Sequence, residues 1–97
     1  MSGPSSGRVT IRFPRVLLQY WTGPAKVDVD GKTLAEAFAH VNDQAPGLAA
    51  RILDDQGQIR RHVAIFVNGT MLTGKDPSAV SLQGGDEVHV VPSVSGG

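Results

Sequence analysis

Two short segments near the start of the chain, residues 9–13 and 25–29, alternate between apolar and polar positions. A period of two is typical of half-buried strands. The first segment ends at Pro14, and a Thr-Gly-Pro turn precedes the second. Between them, residues 16–21 are apolar without a pattern, so the short connection predicts an antiparallel hairpin. The inward positions of the two strands are Val9, Ile11, Phe13, Val27 and Val29.

The period changes from two to that of a helix after residue 32. Thr33, with Glu36 three residues later, is the sequence signature of a capping box at a helix start. Pro46-Gly47 ends this helix near residue 44 or 45, and a shorter helical turn is predicted over residues 48–53. The apolar face of the main helix consists of Leu34, Ala37, Phe38 and Val41.

The second half of the chain returns to strand patterns. Residues 62–67 are rich in β-branched side chains, and Asn68-Gly69 is a strong signal for a tight hairpin turn into a short strand over 70–72. A final strand covers residues 87–91 and stops at Pro92, which cannot donate a ladder hydrogen bond. Two strands, a helix and further strands predict an α+β protein of the β-grasp, or ubiquitin-like, type. Its mixed sheet has four to five strands and one main helix across it, and an α+β sandwich of the same elements is the alternative.

We divide the chain into one domain with two extensions. Residues 1–7 contain Ser, Gly and Pro without an apolar segment, which indicates a disordered leader rather than a signal peptide. Residues 8–92 form the domain, and residues 93–97 form a flexible tail that ends in two glycines. Glycine has no Cβ, so such a tail can enter a narrow passage and present its terminal carboxylate there.

Composition excludes several classes of function. Nine basic residues balance nine acidic ones, which argues against a nucleic-acid partner. The sequence contains no cysteine, so thiol catalysis, disulfides and thiolate metal sites are absent. Its three histidines lack metal-ligand spacing, and no metal site is predicted. No apolar segment is long enough to span a membrane, and we expect a cytoplasmic protein without a membrane partner.

Two motifs resemble functional sites, but their context argues against function. Residues 69–75 match the glycine and lysine spacing of a P-loop, yet Asp76 stands where a magnesium-binding hydroxyl belongs. Residues 68–70 form a glycosylation sequon, for which the hairpin is a sufficient explanation. No nucleophile, base and orienting group share a recognisable spacing, so we expect a protein that is not itself an enzyme.

Two segments carry a resemblance to a known family: Val63-x-Ile65-x-Val67-Asn68-Gly69 and Gly85-Asp86-Glu87-Val88-x-Val90-x-Pro92-x-Val94-x-Gly96-Gly97. Together they resemble the MoaD/ThiS family of bacterial sulfur carriers, which have the β-grasp fold. The resemblance covers most of the chain from residue 9 onward and is most specific in the tail. It looks closest to the carriers of cysteine synthesis and to the small subunit of molybdopterin synthase. Ser95 departs from the alanine that relatives often have there.

The resemblance implies a mechanism centred on the carboxylate of Gly97. An activating enzyme similar to the ubiquitin activators would use ATP and magnesium to adenylate it, and the carrier itself would bind no cofactor. A persulfide protein or sulfide would then displace AMP to give a thiocarboxylate. A third protein, the sulfur-acceptor enzyme, would use this sulfur to make cysteine, molybdopterin, thiamine or a specialised metabolite. Gly96, Ser95 and Val94 would thread into these partners.

The predicted strand faces also suggest a docking surface. If Val63 and its alternate neighbours face the helix, Phe66 points outward with Val91 and Met71, and an exposed apolar patch of this kind indicates a partner site. The alternative is that Phe66 packs under a loop. Two other functions share these sequence features: a ubiquitin-like modifier joined to lysines through Gly97, and an interaction domain whose tail has no role.

Overall fold

The computed structural model describes residues 8–72, 74 and 76–92, which form a mixed five-stranded sheet with two α-helices. The leader, residues 1–7, and the tail, residues 93–97, lie outside the described residues. The strands are β1 (Arg8–Arg12), β2 (Lys26–Asp30), β3 (Val63–Val67), β4 (Thr70–Met71) and β5 (Glu87–Pro92). The helices are α1 (Leu34–Gln44), α2 (Pro46–Ile52) and two 3₁₀ helices, Arg15–Tyr20 and Pro77–Ala79.

The N-terminal hairpin is confirmed. β1 and β2 are antiparallel, with Val9 opposite Val29 and Ile11 opposite Val27. Val9 and Ile11 are completely buried, whereas Val27 packs at the edge of the core. The apolar residues without a pattern between the two strands form the first 3₁₀ helix, which is short enough to show no regular period.

The central strand of the sheet is the last one, β5. The strand order is β2-β1-β5-β3-β4, and β5 is parallel to β1 but antiparallel to β3. Its inward residues, Val88 and Val90, are 0% and 3% exposed. A strand with paired neighbours on both sides and a buried face is held more firmly than an edge strand.

The prediction that β5 stops before Pro92 is wrong by one residue, because Pro92 still pairs with Val63. The amide of Asn68 donates to the carbonyl oxygen of Glu87 at 2.8 Å. Hydrogen-bonded and non-bonded pairs alternate along an antiparallel ladder, which makes Val63–Pro92 a non-bonded pair. The missing amide proton of Pro92 therefore removes no bond to β3, and the proline is tolerated within the strand.

Helix α1 begins as the sequence predicts, with one difference in its cap. Thr33 Oγ1 accepts a hydrogen bond from the amide of Glu36 at 3.2 Å. Glu36 Oε1 accepts from the amide of Lys32 at 2.9 Å, one residue before the position that a capping box uses. The helix ends at Gln44, and α2 then starts at Pro46, two residues earlier than predicted, because proline suits the first position of a helix.

One core joins the sheet to both helices. The four predicted residues of the α1 face are buried, as are Leu48 and Ile52 of α2. They pack against the inward residues of the sheet, among which Ile11, Ile65 and Val88 are at most 2% exposed. The opposite face of the sheet lies outside this core.

The Asn68-Gly69 turn links the β3–β4 hairpin to the start of β5. Both residues have positive φ, 52° and 88°, as the predicted two-residue turn requires. The Asn68 side chain donates to Asp86 Oδ1 and accepts from the amide of Glu87, both at 3.0 Å. The first glycine of the P-loop spacing, Gly69, therefore belongs to a hairpin turn.

Asp76, at the position where a P-loop has its hydroxyl residue, caps the second 3₁₀ helix. Its carboxylate accepts from the hydroxyl of Ser78 at 2.6 Å and from the amide of Ser78 at 2.9 Å. These two bonds, the side-chain bond first, hold the pKa of Asp76 below its usual value. A local structural role accounts for this residue.

Replacement of Gly31 by alanine will destabilise the fold, because its Cβ would lie 2.8 Å from the amide nitrogen of Ala37 in α1. Backbone must move to relieve such a contact, and we expect a loss of about 1–3 kcal/mol in the free energy of unfolding. Gly47→Ala is the matched control, since the nearest atom to its new Cβ is 3.8 Å away. We expect stability there to be unchanged or raised by up to about 1 kcal/mol. Chemical denaturation measures both, and equal effects would contradict the packing described.

Candidate functional site

The C-terminal tail starts from the centre of the sheet. Pro92 is the last described residue, and Gly97, Gly96, Ser95 and Val94 lie outside the described residues. Five residues of β5 pair with β3, and three residues pair with β1. The start of the tail is therefore fixed to the most firmly held strand of the fold.

A row of side chains crosses the outward face of the sheet beside this strand. Register places Arg12 next to His89, His89 opposite Phe66, and Phe66 opposite Met71. Lys26 pairs with Arg12 at the other end of the row. Side chains at paired positions on one face of a sheet are direct neighbours. We call these five residues the sheet-face row; it is cationic at the β2 edge and apolar at the β4 edge.

The three predicted docking residues share this outward face. Phe66 and Met71 are cross-strand partners, Phe66 is half-buried, and Met71 is 53% exposed. Val91 is half-buried and lies opposite Ala64, further along the same face. Their role in docking stays a prediction.

Sequence reasoning missed the ion pairs that Glu87 forms with two members of the row, Arg12 and His89. Glu87 lies 3.6 Å from Arg12 Nη2 and 3.4 Å from His89 Nε2, and all three side chains are nearly half exposed. Exposed pairs of this kind contribute at most about 1 kcal/mol to stability, so they mainly orient the side chains. The alternation along residues 87–91 could have predicted that Glu87, His89 and Val91 share one face of the sheet. Only the β1–β5 register brings Arg12 to them.

An apolar groove lies beside the start of the tail, between the first 3₁₀ helix, α2 and β5. Its volume is about 210 Å³, and Val16, Tyr20, Val91 and Pro92 are among its lining residues. The guanidinium carbon of Arg51 lies 4.2 Å from the centre of the Tyr20 ring, a cation–π contact. We call this cavity the tail groove. No sequence pattern predicted it, because residues 16–21 show no periodicity.

Among residues 8–72, 74 and 76–92, no group of three His, Cys, Asp or Glu side chains is placed to hold a metal ion. Within the same part of the chain, no helix is long and apolar enough to cross a membrane.

Comparison with known proteins agrees with the geometry of this tail-bearing domain. Sulfur carrier protein CysO of Mycobacterium tuberculosis is 29% identical over 91 residues, which cover 92% of this chain and 98% of CysO. Its crystal structure superposes with a TM-score of 0.78 at 27% identity and covers 89% of this chain and 99% of that one. Small archaeal modifier protein 3 of Haloferax volcanii is 35% identical over 78 residues, which cover 80% of this chain and 78% of the modifier.

The crystal structure of the Amycolatopsis orientalis BexX/CysO complex gives a TM-score of 0.76 at 25% identity and covers 92% of this chain and 99% of that one. These likenesses confirm the predicted β-grasp, ubiquitin-like fold. The model of the ThiS family matches residues 18–97, which include α1, the whole sheet except β1, and the tail. The chain therefore belongs to the ThiS family, as the MoaD/ThiS resemblance of its sequence predicted.

Proposed function

We propose that this chain is a sulfur carrier whose terminal carboxylate, on Gly97, is converted to a thiocarboxylate. The observation that carries the proposal is the ThiS family match, which extends over the domain and through the tail to Gly97. The structure supports it because the tail starts from the central strand of the domain. The chain is then a co-substrate, and partner enzymes perform the chemistry.

The chemistry requires activation, because a carboxylate oxygen is a poor leaving group. A separate adenylating enzyme with MgATP would let the Gly97 carboxylate attack the α-phosphorus, which releases pyrophosphate and leaves an acyl adenylate. Sulfide would attack the acyl carbon, expel AMP and give the thiocarboxylate. A persulfide donor would form an acyl disulfide instead, which a second thiol must cleave. This chain has no cysteine, so that thiol belongs to a partner.

The tail delivers the carboxylate and offers no charge stabilisation of its own. Ser93 to Gly97 contains no ionisable side chain, so the partner must stabilise the charge that develops during the reaction. Extended, these five residues span roughly 17 Å at ~3.4 Å per residue. Ordering them costs about 1–2 kcal/mol per residue, so the folded domain must supply most of the binding free energy.

We propose that the sheet-face row and Val91 form the docking surface for the adenylating enzyme. The surface lies next to the tail, and Met71 is the large apolar side chain most exposed among the described residues. Its polarity changes along the row from Lys26 and Arg12 to Phe66 and Met71. It therefore fits a partner that presents acidic groups opposite one half and apolar groups opposite the other.

A second function, conjugation to lysines of other proteins through Gly97, is favoured by one observation. A small archaeal modifier protein is 35% identical to this chain over 78 residues. Both functions need the same acyl adenylate, and they differ in the nucleophile that displaces AMP. Recovery of proteins with a lysine joined to the C-terminal segment of this chain would support conjugation. Trypsin would leave residues 76–97 on that lysine, because the sequence has no Lys or Arg after Lys75.

Intact mass spectrometry tests the carrier function. We expect the chain, incubated with a cognate adenylating enzyme, MgATP and sulfide, to gain the mass of one oxygen-to-sulfur exchange. A thiol-alkylating reagent then adds one group per chain, and because the sequence lacks cysteine, that group reports the thiocarboxylate. Alkylation also separates this product from methionine oxidation, which changes the mass by nearly the same amount.

The control for this experiment is a chain that ends at Ser95, without Gly96 and Gly97. No shift in the full chain with an enzyme that releases pyrophosphate would overturn the sulfur-carrier function. An equal, alkylatable shift in the shortened chain would overturn the assignment of the reactive end to Gly97.

A Met71→Glu substitution tests the docking surface. A charge in the apolar half of the row must be desolvated on docking, and we expect kcat/KM for the carrier in the adenylation reaction to fall at least tenfold. Pyrophosphate release measures this rate. The matched control is Ala39→Glu, an exposed position on α1 away from the row, which should leave the rate within about twofold. Equal rates for both variants would place the docking surface elsewhere.

A further inference from the structure

We propose that the tail groove binds the chain's own C-terminal segment, with Val94 in its apolar part and the Gly97 carboxylate beside Arg51 and His62. The groove is then an internal binding site for the reactive end, distinct from the sheet-face row. Three properties of the groove support this occupant: its position, its chemistry and its charge.

The first property is position. Val91 and Pro92 line the groove, so β5 ends at the edge of the groove, and the tail begins there. The β1–β5 pairing ends at Arg12 and His89, and the chain then turns into the first 3₁₀ helix. The last residues of β5, from Val90 to Pro92, therefore lie beside the groove without a neighbour from β1. From Pro92 to Val94 the extended chain covers roughly 7 Å, so the Val94 side chain can reach the groove after one turn at Ser93.

The second property is the match of apolar surfaces. Val16, Tyr20 and Val91 line the groove, and Val94 is the one residue with a sizeable apolar side chain among the five after Pro92. Val16 and Tyr20 are 52% and 37% exposed, so no other described residue covers them fully and a further apolar side chain can bind there. Apolar cavities of roughly 150 Å³ accept a benzene molecule, and the groove, at about 210 Å³, therefore has room for a valine side chain.

The third property is charge. Arg51 and His62 line the groove, and none of its described lining residues is acidic. The charge of the tail comes from its terminal carboxylate alone, because residues 93–97 have no ionisable side chain. Five residues span roughly 17 Å, which is ample for Gly97 to meet the guanidinium of Arg51. The stacking of Arg51 on Tyr20 holds that guanidinium at the groove.

Docking of the tail would regulate access to the carboxylate. Loss of chain entropy opposes the contacts that Val94 and the carboxylate make, so we expect docked and free tails in comparable amounts. An activating partner would then bind the free tail and compete with the groove. This consequence rests on the proposed function, whereas binding of the tail to the groove does not.

NMR spectroscopy of the full chain tests the binding. We expect contacts between the Val94 methyl groups and the Tyr20 ring. Removal of Ser93–Gly97 should shift amide signals of residues 16–20 and of Arg51 and His62, which are remote in sequence from the cut. Val94→Ser should remove these effects and raise the rate at which a carboxypeptidase shortens the chain by about twofold, because about half of the tails are already free. The matched control, Ser93→Ala, should preserve them.

Val16→Ser, at an exposed lining position, should weaken the contacts from the groove side without an effect on folding. Shifts confined to Val91 and its neighbours in sequence, or identical behaviour of Val94→Ser and Ser93→Ala, would overturn the proposal. Contacts that appear only between labelled and unlabelled chains would assign the groove to the tail of a second copy instead. The thiocarboxylate assay is independent of all these outcomes, so either proposal can fail alone.

Discussion

The pairing of β5 on both sides is the constraint on which the rest of this structure depends. Val88 and Val90 are buried, both β1 and β3 pair with the strand as far as His89, and β3 continues the pairing to Pro92. Displacing β5 would break two ladders and open the core at once, so the strand that carries the tail is among the last parts of the fold to move. A reactive end that must reach a partner's active site in a defined direction benefits from such an anchor.

The alternation of this strand also creates the two surfaces beside the tail. Its even-numbered residues through Val90 enter the core, whereas Glu87, His89 and Val91 face outward. Val91 borders both the sheet-face row and the tail groove, because β5 extends beyond His89, the last of its residues that pairs with β1. A partner on the sheet face and a tail in the groove, both as proposed above, would therefore meet at Val91.

The sequence predicted what depends on local period and turn chemistry. The first hairpin, α1 and its Thr33 cap, and the Asn68-Gly69 turn are all where their patterns indicated. The tail groove could not be predicted, because a 3₁₀ helix of six residues leaves no period and its partners are remote in sequence. The neighbours of His89 depend on the pairing of the first strand with the last, which no local pattern specifies. Pro92 was misjudged because its effect depends on the hydrogen-bonding phase of the ladder, which a sequence does not display.

The modest size of the apolar surface fits a protein that must leave its partners. Under the proposed function, the chain would bind an activating enzyme, depart with its modified end and bind an acceptor, so a very tight complex at either step would slow the cycle. Phe66 is half-buried in the free domain, and exposed charges flank it, whereas stable complexes have larger and more apolar interfaces. Affinity for the domain must still offset the entropy lost when the tail is ordered. The sheet face is therefore expected to give fast, reversible docking, and the partner's contacts with the tail to give selectivity for the chemical state of Gly97.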